Sequence, residues 1–274
     1  MSRRYLALFL SILISLNLYA DNREEAICGT FFEPFVFWMW SSMTPKPDSG
    51  IVANIPFIEP SNFKTSDGKT IRGYRYQSNN GYTRTSPKGY ILVAMGNTMI
   101  SEQMVVMLKN FSLKSYDVYA YDYRGYANSE GNRRIKAIIE DYKEIAEALN
   151  KRYKRKLLYG ISLGGAVMLN VIGSGADYDA AVIDSAPSFL SSFGCPESID
   201  PVTNLPKDAS KLLIITAQKD SILPKSLTSP LREIAQKRGA KTLDGEEYEH
   251  PFADRDLEVH YQRMGIILEH LDTD

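Results

Sequence analysis

The chain has 274 residues, of which 44% are hydrophobic and 24% are charged, and its formal net charge is −1. This composition predicts a packed core and excludes a disordered chain, and the balanced charge argues against nucleic acid as a main partner. The three histidines are His250, His260 and His270. No pair of them has metal-ligand spacing with support from cysteine or carboxylate residues, so we expect neither a metal site nor another cofactor.

Residues 1–20 have the features of a secretory signal peptide. Arg3 and Arg4 come first, an apolar run covers residues 5–18, and a small residue, Ala20, ends the segment. We expect cleavage near Ala20 and export to the periplasm or out of the cell. The mature chain would lose two of 32 basic residues and keep all 33 acidic ones, which gives 30 − 33 = −3. The alternative is an uncleaved membrane anchor, although a spanning helix needs roughly 20 apolar residues.

Two cysteines occur in the chain, Cys28 and Cys195, and both remain after the predicted cleavage. In an oxidising compartment they can form a disulfide, which would stabilise the fold by about 4 kcal/mol in the chain-entropy model. The alternative is a pair of buried thiols. The sequence leaves both interpretations open, because it does not place the two Cα atoms relative to each other.

Residues 21–61 form an N-terminal segment that is rich in aromatic residues. Phenylalanine, tryptophan and methionine crowd the interval 31–40, and Pro45 and Pro47 follow it. We expect this segment to pack along an edge or a face of the folded domain, because large apolar side chains are usually buried. The alternative is a surface patch that contacts a membrane interface, where tryptophan is favoured.

From Asn62 onwards, short strands alternate with amphipathic helices. A hairpin is predicted in 62–78 about the Asp67-Gly68 turn. Further strands are predicted in 89–96, 116–125, 156–160, 180–187, 211–220 and 241–249, and helices in 101–115, 133–155, 164–172, 230–239 and 255–271. Because such alternation implies right-handed crossovers, we expect one α/β domain over residues 62–274. Its mostly parallel sheet has about eight strands, is flanked by helices and carries no large cap domain.

The stretch Gly160-Ile161-Ser162-Leu163-Gly164 matches the pattern G-x-S-x-G between a predicted strand and a predicted helix. In that setting the serine lies on a sharp, strained turn, and glycine occupies the flanking positions where a side chain would collide. The backbone N–H of Leu163 would then point to the place where an oxyanion forms. The pattern predicts that Ser162 is a nucleophile.

A serine nucleophile needs a base, and the base needs a carboxylate that fixes its tautomer. Asp220 follows one predicted strand and His250 follows the last one. The alternative acid is Asp184, which also ends a predicted strand. His260 and His270 fall inside the last predicted helix, where we expect surface or packing roles, so the predicted nucleophile and base are Ser162 and His250, with Asp220 or Asp184 as the acid.

Four stretches carry a resemblance to the α/β-hydrolase superfamily: Tyr121–Gly131, Gly160–Gly165, Gln218–Pro224 and Glu249-His250. The chain looks closest to the small subgroup without a large cap, which includes esterases, peptidases and depalmitoylase-like hydrolase-domain proteins. The resemblance runs from about residue 62 to the C-terminus and implies the α/β-hydrolase fold. It also implies Asp220 rather than Asp184 as the acid, because Asp220 matches the family's usual position, so the predicted catalytic residues are Ser162, Asp220 and His250.

The resemblance also implies a second oxyanion donor in the loop after the strand in 89–96. Asn97 and Thr98 are the two candidates, in a place where relatives commonly have His-Gly. In relatives, the stretch that matches Asp122-Tyr123-Arg124-Gly125 shapes a loop beside the site. Taken alone, either of these two residues could form a surface ion pair, so we give both a structural role.

These observations predict an exported serine hydrolase that cleaves an ester or a thioester through an acyl-enzyme on Ser162. The interval from Ser188 to Ser210, where relatives insert large lids, is short, so a bulky acyl substrate such as a lipid or an acylated protein could approach. The alternatives are a serine peptidase that uses the same residues, and a binding protein that kept the fold without catalysis.

Overall fold

The computed structural model describes residues 22–273. The predicted signal peptide, residues 1–20, and its cleavage point lie outside the described residues. Between residues 22 and 273, no helix combines the length and the apolar character that crossing a bilayer requires.

Eight strands form one sheet in the order β1-β2-β4-β3-β5-β6-β7-β8. The strands are β1 Ile58–Lys64, β2 Thr70–Tyr76, β3 Gly89–Ala94, β4 Tyr116–Tyr121, β5 Arg155–Ile161, β6 Ala180–Asp184, β7 Leu212–Ala217 and β8 Lys241–Gly245. The helices of the described part are α1 Phe32–Ser42, α2 Gly50–Ala53, α3 Ser101–Met107, α4 Lys109–Leu113, α5 Ile135–Asn150, α6 Leu163–Gly173, α7 Lys225–Lys237 and α8 Leu257–Asp272.

Strands β3 to β8 all run parallel, whereas β1 and β2 are antiparallel to their neighbours. Strands β1 and β2 pair from Ile58 opposite Tyr76 to Lys64 opposite Thr70, so the hairpin about Asp67-Gly68 is formed. The prediction of a mostly parallel sheet of about eight strands is confirmed. Strand β1 begins four residues before Asn62.

Helices cover both faces of the sheet, and this explains why the parallel strands read as continuous apolar runs. One apolar cluster lies between the sheet and helices α1, α5, α6 and α7. The other lies beneath α2, α3, α4 and α8. The interval between β6 and β7 contains two short 3-10 turns, Ser191–Phe193 and Glu197–Ile199, and no large cap domain.

Three helix predictions differ from the structure. The helix predicted over 133–155 spans Ile135–Asn150, and Arg155 already belongs to strand β5. The helix predicted over 101–115 is broken at Leu108, whose backbone leaves the helical region (φ −94°, ψ 19°) while its side chain stays buried in the core. Helix α7 begins at Lys225, so the predicted start at Pro230 is wrong. Pro230 is only the sixth residue of α7, and its missing N–H costs the single hydrogen bond to the carbonyl of Ser226.

The N-terminal segment is fastened to the domain at several points. Cys28 and Cys195 form a disulfide, which decides between the two interpretations that the sequence left open. The guanidinium group of Arg23 bonds Glu144 at 2.6 Å. The expectation that the aromatic interval packs on the domain holds for one face of helix α1, since Phe37 is buried, but Phe35 is exposed.

Candidate active site

Ser162 lies on the tight turn between strand β5 and helix α6. Its backbone has φ 53° and ψ −118°, a left-handed conformation that strains any residue other than glycine. A Cβ atom on Gly164 would lie 2.0 Å from the carbonyl oxygen of Ala94, and one on Gly160 would lie 2.6 Å from the Cα of Gly165. Glycine is therefore required at both positions, as the motif predicts.

Asp220 and His250 follow strands β7 and β8 and meet at the carboxyl edge of the sheet. Nδ1 of His250 lies 2.8 Å from Oδ2 of Asp220. The other oxygen, Oδ1, accepts the backbone N–H groups of Ile222 and Leu223 at 2.9 and 2.8 Å. Burial by itself raises the pKa of Asp220, but these hydrogen bonds and the histidine outweigh it and lower the pKa. The carboxyl group therefore stays ionised and orients the imidazole.

The turn of Ser162 follows strand β5, while Asp220 and His250 follow β7 and β8, which run parallel to it in the same sheet. The N–H of Ser162 donates to the carbonyl oxygen of Asp184, at the end of strand β6, at 2.8 Å. The pKa of Asp184 is raised, because burial outweighs the opposing charge of Arg263. The structure brings the turn of Ser162 and the Asp220–His250 pair to one edge of the sheet.

The carboxyl group of Asp184 is bonded by Arg263 rather than by a histidine. Nη2 and Nε of Arg263 donate to Asp184 at 2.5 and 3.1 Å, and both side chains are buried. The alternative assignment of Asp184 as the acid partner of the base therefore has no support in the geometry. His260 and His270 lie on helix α8 and take no part in the Asp220–His250 pair: Nδ1 of His260 lies 3.7 Å from Asp254.

Arg263 also holds the loop that carries His250. Its Nη1 donates to the carbonyl oxygen of Glu249 at 2.9 Å. Oδ1 of Asp254 accepts the N–H of Glu249 at 2.9 Å, and Nη1 of Arg263 lies 3.4 Å from the same oxygen. This buried network fixes the backbone one residue before His250. Sequence reasoning missed it, because nothing in the spacing of these residues links helix α8 to the loop.

A cavity of about 310 Å³ opens beside Ser162, which is the small end of the range for ligand pockets. Its walls are mostly apolar and come from helix α1, the β6–β7 interval and the loop after Asp220. The lining residues are Cys28, Phe32, Glu33, Val36, Phe37, Trp40, Asn97, Ile135, Ser162, Leu163, Pro187, Leu190, Phe193, Cys195, Ile222, Leu223 and Leu227. Helix α1 thus closes one side of the cavity, and we call it the roof of the cavity. This role was not predicted from the sequence.

Glu33 fastens this roof at the start of helix α5. Oε1 accepts the N–H of Ile135, the first residue of α5, at 2.8 Å, and Oε2 accepts the N–H of Cys28 at 2.8 Å. The first N–H groups of a helix lack partners inside the helix, and an acidic group placed there is favoured by the helix dipole. The side chain is buried, so both of its oxygen atoms are committed to structure.

The predicted oxyanion donors lie on two sides of Ser162. Leu163 is the first residue of helix α6 and lines the cavity. A Cβ atom on Gly96 would lie 3.5 Å from Cβ of Ser162, so the loop after strand β3 passes beside Ser162. Asn97 lines the cavity together with Ser162, whereas Thr98 does not.

Asp122 and Arg124 are buried, so the alternative of a surface ion pair is wrong. The guanidinium group of Arg124 bonds Asp141 at 2.5 Å, Asp67 at 2.7 Å and Glu24 at 3.0 Å. The carboxyl group of Asp122 accepts the N–H at the start of helix α3, and burial raises its pKa to about 6. Both residues hold loops behind the site. In the part of the chain that the structure describes, no three histidine, cysteine or acidic residues group as metal ligands.

A parallel sheet with helices on both faces and a serine on a strained strand-to-helix turn define the class of the α/β-hydrolases. A family model described as "Hydrolase_4: Serine aminopeptidase, S33" matches residues 85–243, more than half of the chain. The chain belongs to this serine aminopeptidase S33 family, and the expected resemblance is confirmed. The matched interval contains Ser162 and Asp220 and ends before His250.

The chain is also similar to one protein in sequence and to two solved structures in fold. The chain is 25% identical over 240 residues to "Uncharacterized protein YfhR" of Escherichia coli K12, covering 80% of this chain and 83% of the relative. The Pyrococcus furiosus esterase Pf2001 superposes with a TM-score of 0.61 at 15% identity, over 83% of this chain and 96% of the esterase. A Mycobacterium tuberculosis puromycin-hydrolyzing peptidase gives a TM-score of 0.62 at 15% identity, over 80% and 40%. At these identities, the two structures show a shared fold.

Proposed function

We propose that this protein is an exported serine hydrolase that cleaves a carboxylic ester or a thioester through an acyl-enzyme on Ser162. One observation carries the proposal: Ser162, on its strained turn, opens directly into a small and mostly apolar cavity. An apolar cavity beside a nucleophile binds the acyl chain of a substrate by the hydrophobic effect and leaves the carbonyl carbon at the serine oxygen.

In the proposed first step, Oγ of Ser162 attacks the carbonyl carbon while Nε2 of His250 takes its proton. Asp220 holds the tautomer with the proton on Nδ1 and stabilises the imidazolium that forms. The 2.8 Å contact between Nδ1 and Oδ2 supports this role. His250 then gives its proton to the departing alcohol or thiol, and a water molecule, deprotonated by the same nitrogen, releases the acid.

The tetrahedral intermediate carries a negative oxygen that needs hydrogen-bond donors. We assign this role to the backbone N–H groups of Leu163 and Asn97. Leu163 opens helix α6, where N–H groups are free of intrahelical partners and the helix dipole favours negative charge. We assign Asn97 rather than Thr98 because only Asn97 lines the cavity with Ser162.

A serine peptidase is the second candidate, favoured by the family to which the chain belongs. An aminopeptidase needs a carboxylate that binds the ammonium group of its substrate. Among the residues that line the cavity, only Glu33 can carry such a charge, and both of its oxygen atoms accept backbone N–H groups. The cavity therefore suits an uncharged acyl chain better than the amino end of a peptide.

The disulfide supports export, because such bonds form and persist in oxidising compartments. Mass spectrometry of the protein purified from the envelope of the producing cell tests this part. We expect a mature chain that begins at Asp21. A chain that keeps residues 1–20 would support the uncleaved anchor instead.

A panel of p-nitrophenyl esters of increasing acyl length, set beside aminoacyl and peptidyl p-nitroanilides, tests the reaction. We expect hydrolysis of the esters with a preference for medium acyl chains, which the small cavity holds. Ser162→Ala should abolish it, while Ser192→Ala, at an exposed position of the interval between β6 and β7, should leave it unchanged. Activity on the anilides alone would support the peptidase, and inactivity of a well-folded protein on every substrate would support the binding protein.

A further inference from the structure

Helix α1 is apolar on both faces, which is unusual for a helix at the surface. Its inner face carries Phe37 and Trp40, whose rings pack edge to face at 5.4 Å on the roof of the cavity. Its outer face carries Phe31, Phe35 and Trp38, which are 88%, 58% and 58% exposed. No residue between 22 and 273 covers this outer face.

The outer face also lacks charge. The sole charged residue of α1 is Glu33, which is buried on the inner side. Surface helices of water-exposed proteins place charged residues opposite the core, and contiguous exposed apolar patches mark interaction sites. The disulfide of Cys28 and the hydrogen bonds of Glu33 hold the helix in place, so the exposed face is a fixed feature of the fold.

The apolar surface continues into the cavity. Phe32, Phe193 and Ile222 line the cavity and are also exposed to solvent, at 54%, 44% and 63%. They form its mouth, with α1 on one side and the loops after strands β6 and β7 on the others. A molecule that covers the outer face of α1 therefore also covers the entrance that leads to Ser162.

We propose that the outer face of α1 docks on a lipid surface, and that an acyl lipid passes from this surface through the mouth into the cavity. The docking stands on the exposed face alone. The choice of an acyl lipid as substrate rests on the proposed function. It adds to that function the place from which the substrate enters the cavity.

A lipid surface suits this face better than a protein partner. Protein interfaces surround an apolar centre with a polar rim that makes hydrogen bonds, whereas here the rim at the cavity mouth is itself phenylalanine and isoleucine. Phenylalanine and tryptophan on one side of a helix are the residues that enter the boundary between headgroups and acyl chains. The cavity behind these residues is apolar. A lipid surface that covers the cavity mouth therefore also supplies the acyl chain that enters the cavity.

The two tryptophans of the chain, Trp38 and Trp40, both lie on helix α1, so selectively excited tryptophan fluorescence reports on this helix alone. We would use Trp40→Phe, which leaves Trp38 as the single fluorophore, and add phosphatidylcholine vesicles. We expect a blue shift of the emission and quenching by phosphatidylcholine brominated in its acyl chains. Unchanged emission, together with failure of the protein to sediment with the vesicles, would overturn the proposal.

The variant Phe31→Ser/Phe35→Ser removes two exposed rings without touching the core. We expect the partition coefficient for the vesicles to fall at least about tenfold. Tyr82→Ser is the matched control, because Tyr82 is an aromatic residue that is 91% exposed outside α1, and it should bind as the wild type does. Unchanged binding of the double variant would contradict the docking, as would a sedimentation-velocity dimer in which the Trp38 emission is already blue-shifted without lipid.

Kinetics separate the docking from the chemistry. The double variant should hydrolyse soluble p-nitrophenyl acetate at the wild-type rate and a long-chain p-nitrophenyl ester dispersed in vesicles at least about tenfold more slowly. Ser162→Ala should keep full vesicle binding and lose both activities. If the wild type binds vesicles but cleaves neither ester, the docking stands and the proposed hydrolase function fails.

Discussion

Ser162 lies between two groups of residues that are held together by different interactions. We call them the polar wall and the apolar wall. On one side, directional hydrogen bonds join two pairs, Asp220 with His250 and the buried Asp184 with Arg263. On the other side, helix α1 and the β6–β7 interval supply apolar side chains. A hydrogen bond is lost when one partner is displaced, whereas apolar packing tolerates substitutions of similar volume. The polar wall should therefore fix the reaction, and the apolar wall should choose the substrate.

The largest expected effect falls on the polar wall. His250→Ala should lower kcat/KM for a soluble ester by about 10⁴-fold or more, because removal of the base leaves the hydroxyl unactivated. His260→Ala is the matched control, since His260 lies on helix α8 outside the Asp220–His250 pair. Steady-state kinetics on both variants check this, and equal losses in the two would contradict the assigned base.

The next effect is on stability. Arg263→Met should lower the free energy of unfolding by about 3–5 kcal/mol, because it leaves the carboxyl group of Asp184 buried without its charged partner. Adding Asp184→Asn to the same chain should recover part of the loss, since a neutral amide is less costly to bury than an unpaired carboxyl group. Chemical denaturation measures both. If the double variant is as unstable as the sum of the single ones, the two residues do not act as a pair.

The apolar wall responds to loss of its disulfide. Cys28→Ala/Cys195→Ala should lower the free energy of unfolding by about 2–4 kcal/mol, and it frees the start of the roof helix α1. We expect hydrolysis of long acyl esters to suffer more than that of p-nitrophenyl acetate, because only a long chain reaches the roof. Parallel loss on both esters would show that α1 shapes the reaction itself.

A smaller effect concerns pH. The pKa of Asp122 in the folded chain is about 6, above the ordinary value of 3.8. The folded state therefore holds the proton more tightly than the unfolded state, and this contribution to stability is present below about pH 4 and lost as the pH rises through 6. Asp122→Asn does not ionise, so its melting temperature relative to the wild type should be higher at pH 7.5 than at pH 4. A pH-independent difference would contradict the raised pKa.

Local sequence patterns predicted the features that depend on local physics. Glycine is needed on either side of Ser162 because a Cβ atom there would collide with the neighbouring backbone. The Asp67-Gly68 turn closes a hairpin between two strands that follow each other in the chain. The apolar runs of the parallel strands indicate burial on both faces. The break at Leu108 was not predictable from periodicity, since its side chain stays buried on the same face while only the backbone departs from the helix.

Features that depend on tertiary contacts could not be predicted. Arg263 is 79 residues from Asp184 in the chain, and no spacing rule links them. The aromatic interval predicted a segment packed on the domain, but its role as the roof depends on the Cys28–Cys195 disulfide and on Glu33 at the start of helix α5. An acidic residue in an otherwise apolar stretch was the available signal for that anchor.

Labelling with a fluorophosphonate probe, followed by peptide mass spectrometry, tests whether Ser162 is the nucleophile. We expect one phosphonylated residue, Ser162, with labelling abolished in Ser162→Ala and strongly slowed in His250→Ala, since the base activates the hydroxyl. A folded protein that stays unlabelled, or that carries the phosphonate on another serine, would contradict this role of Ser162.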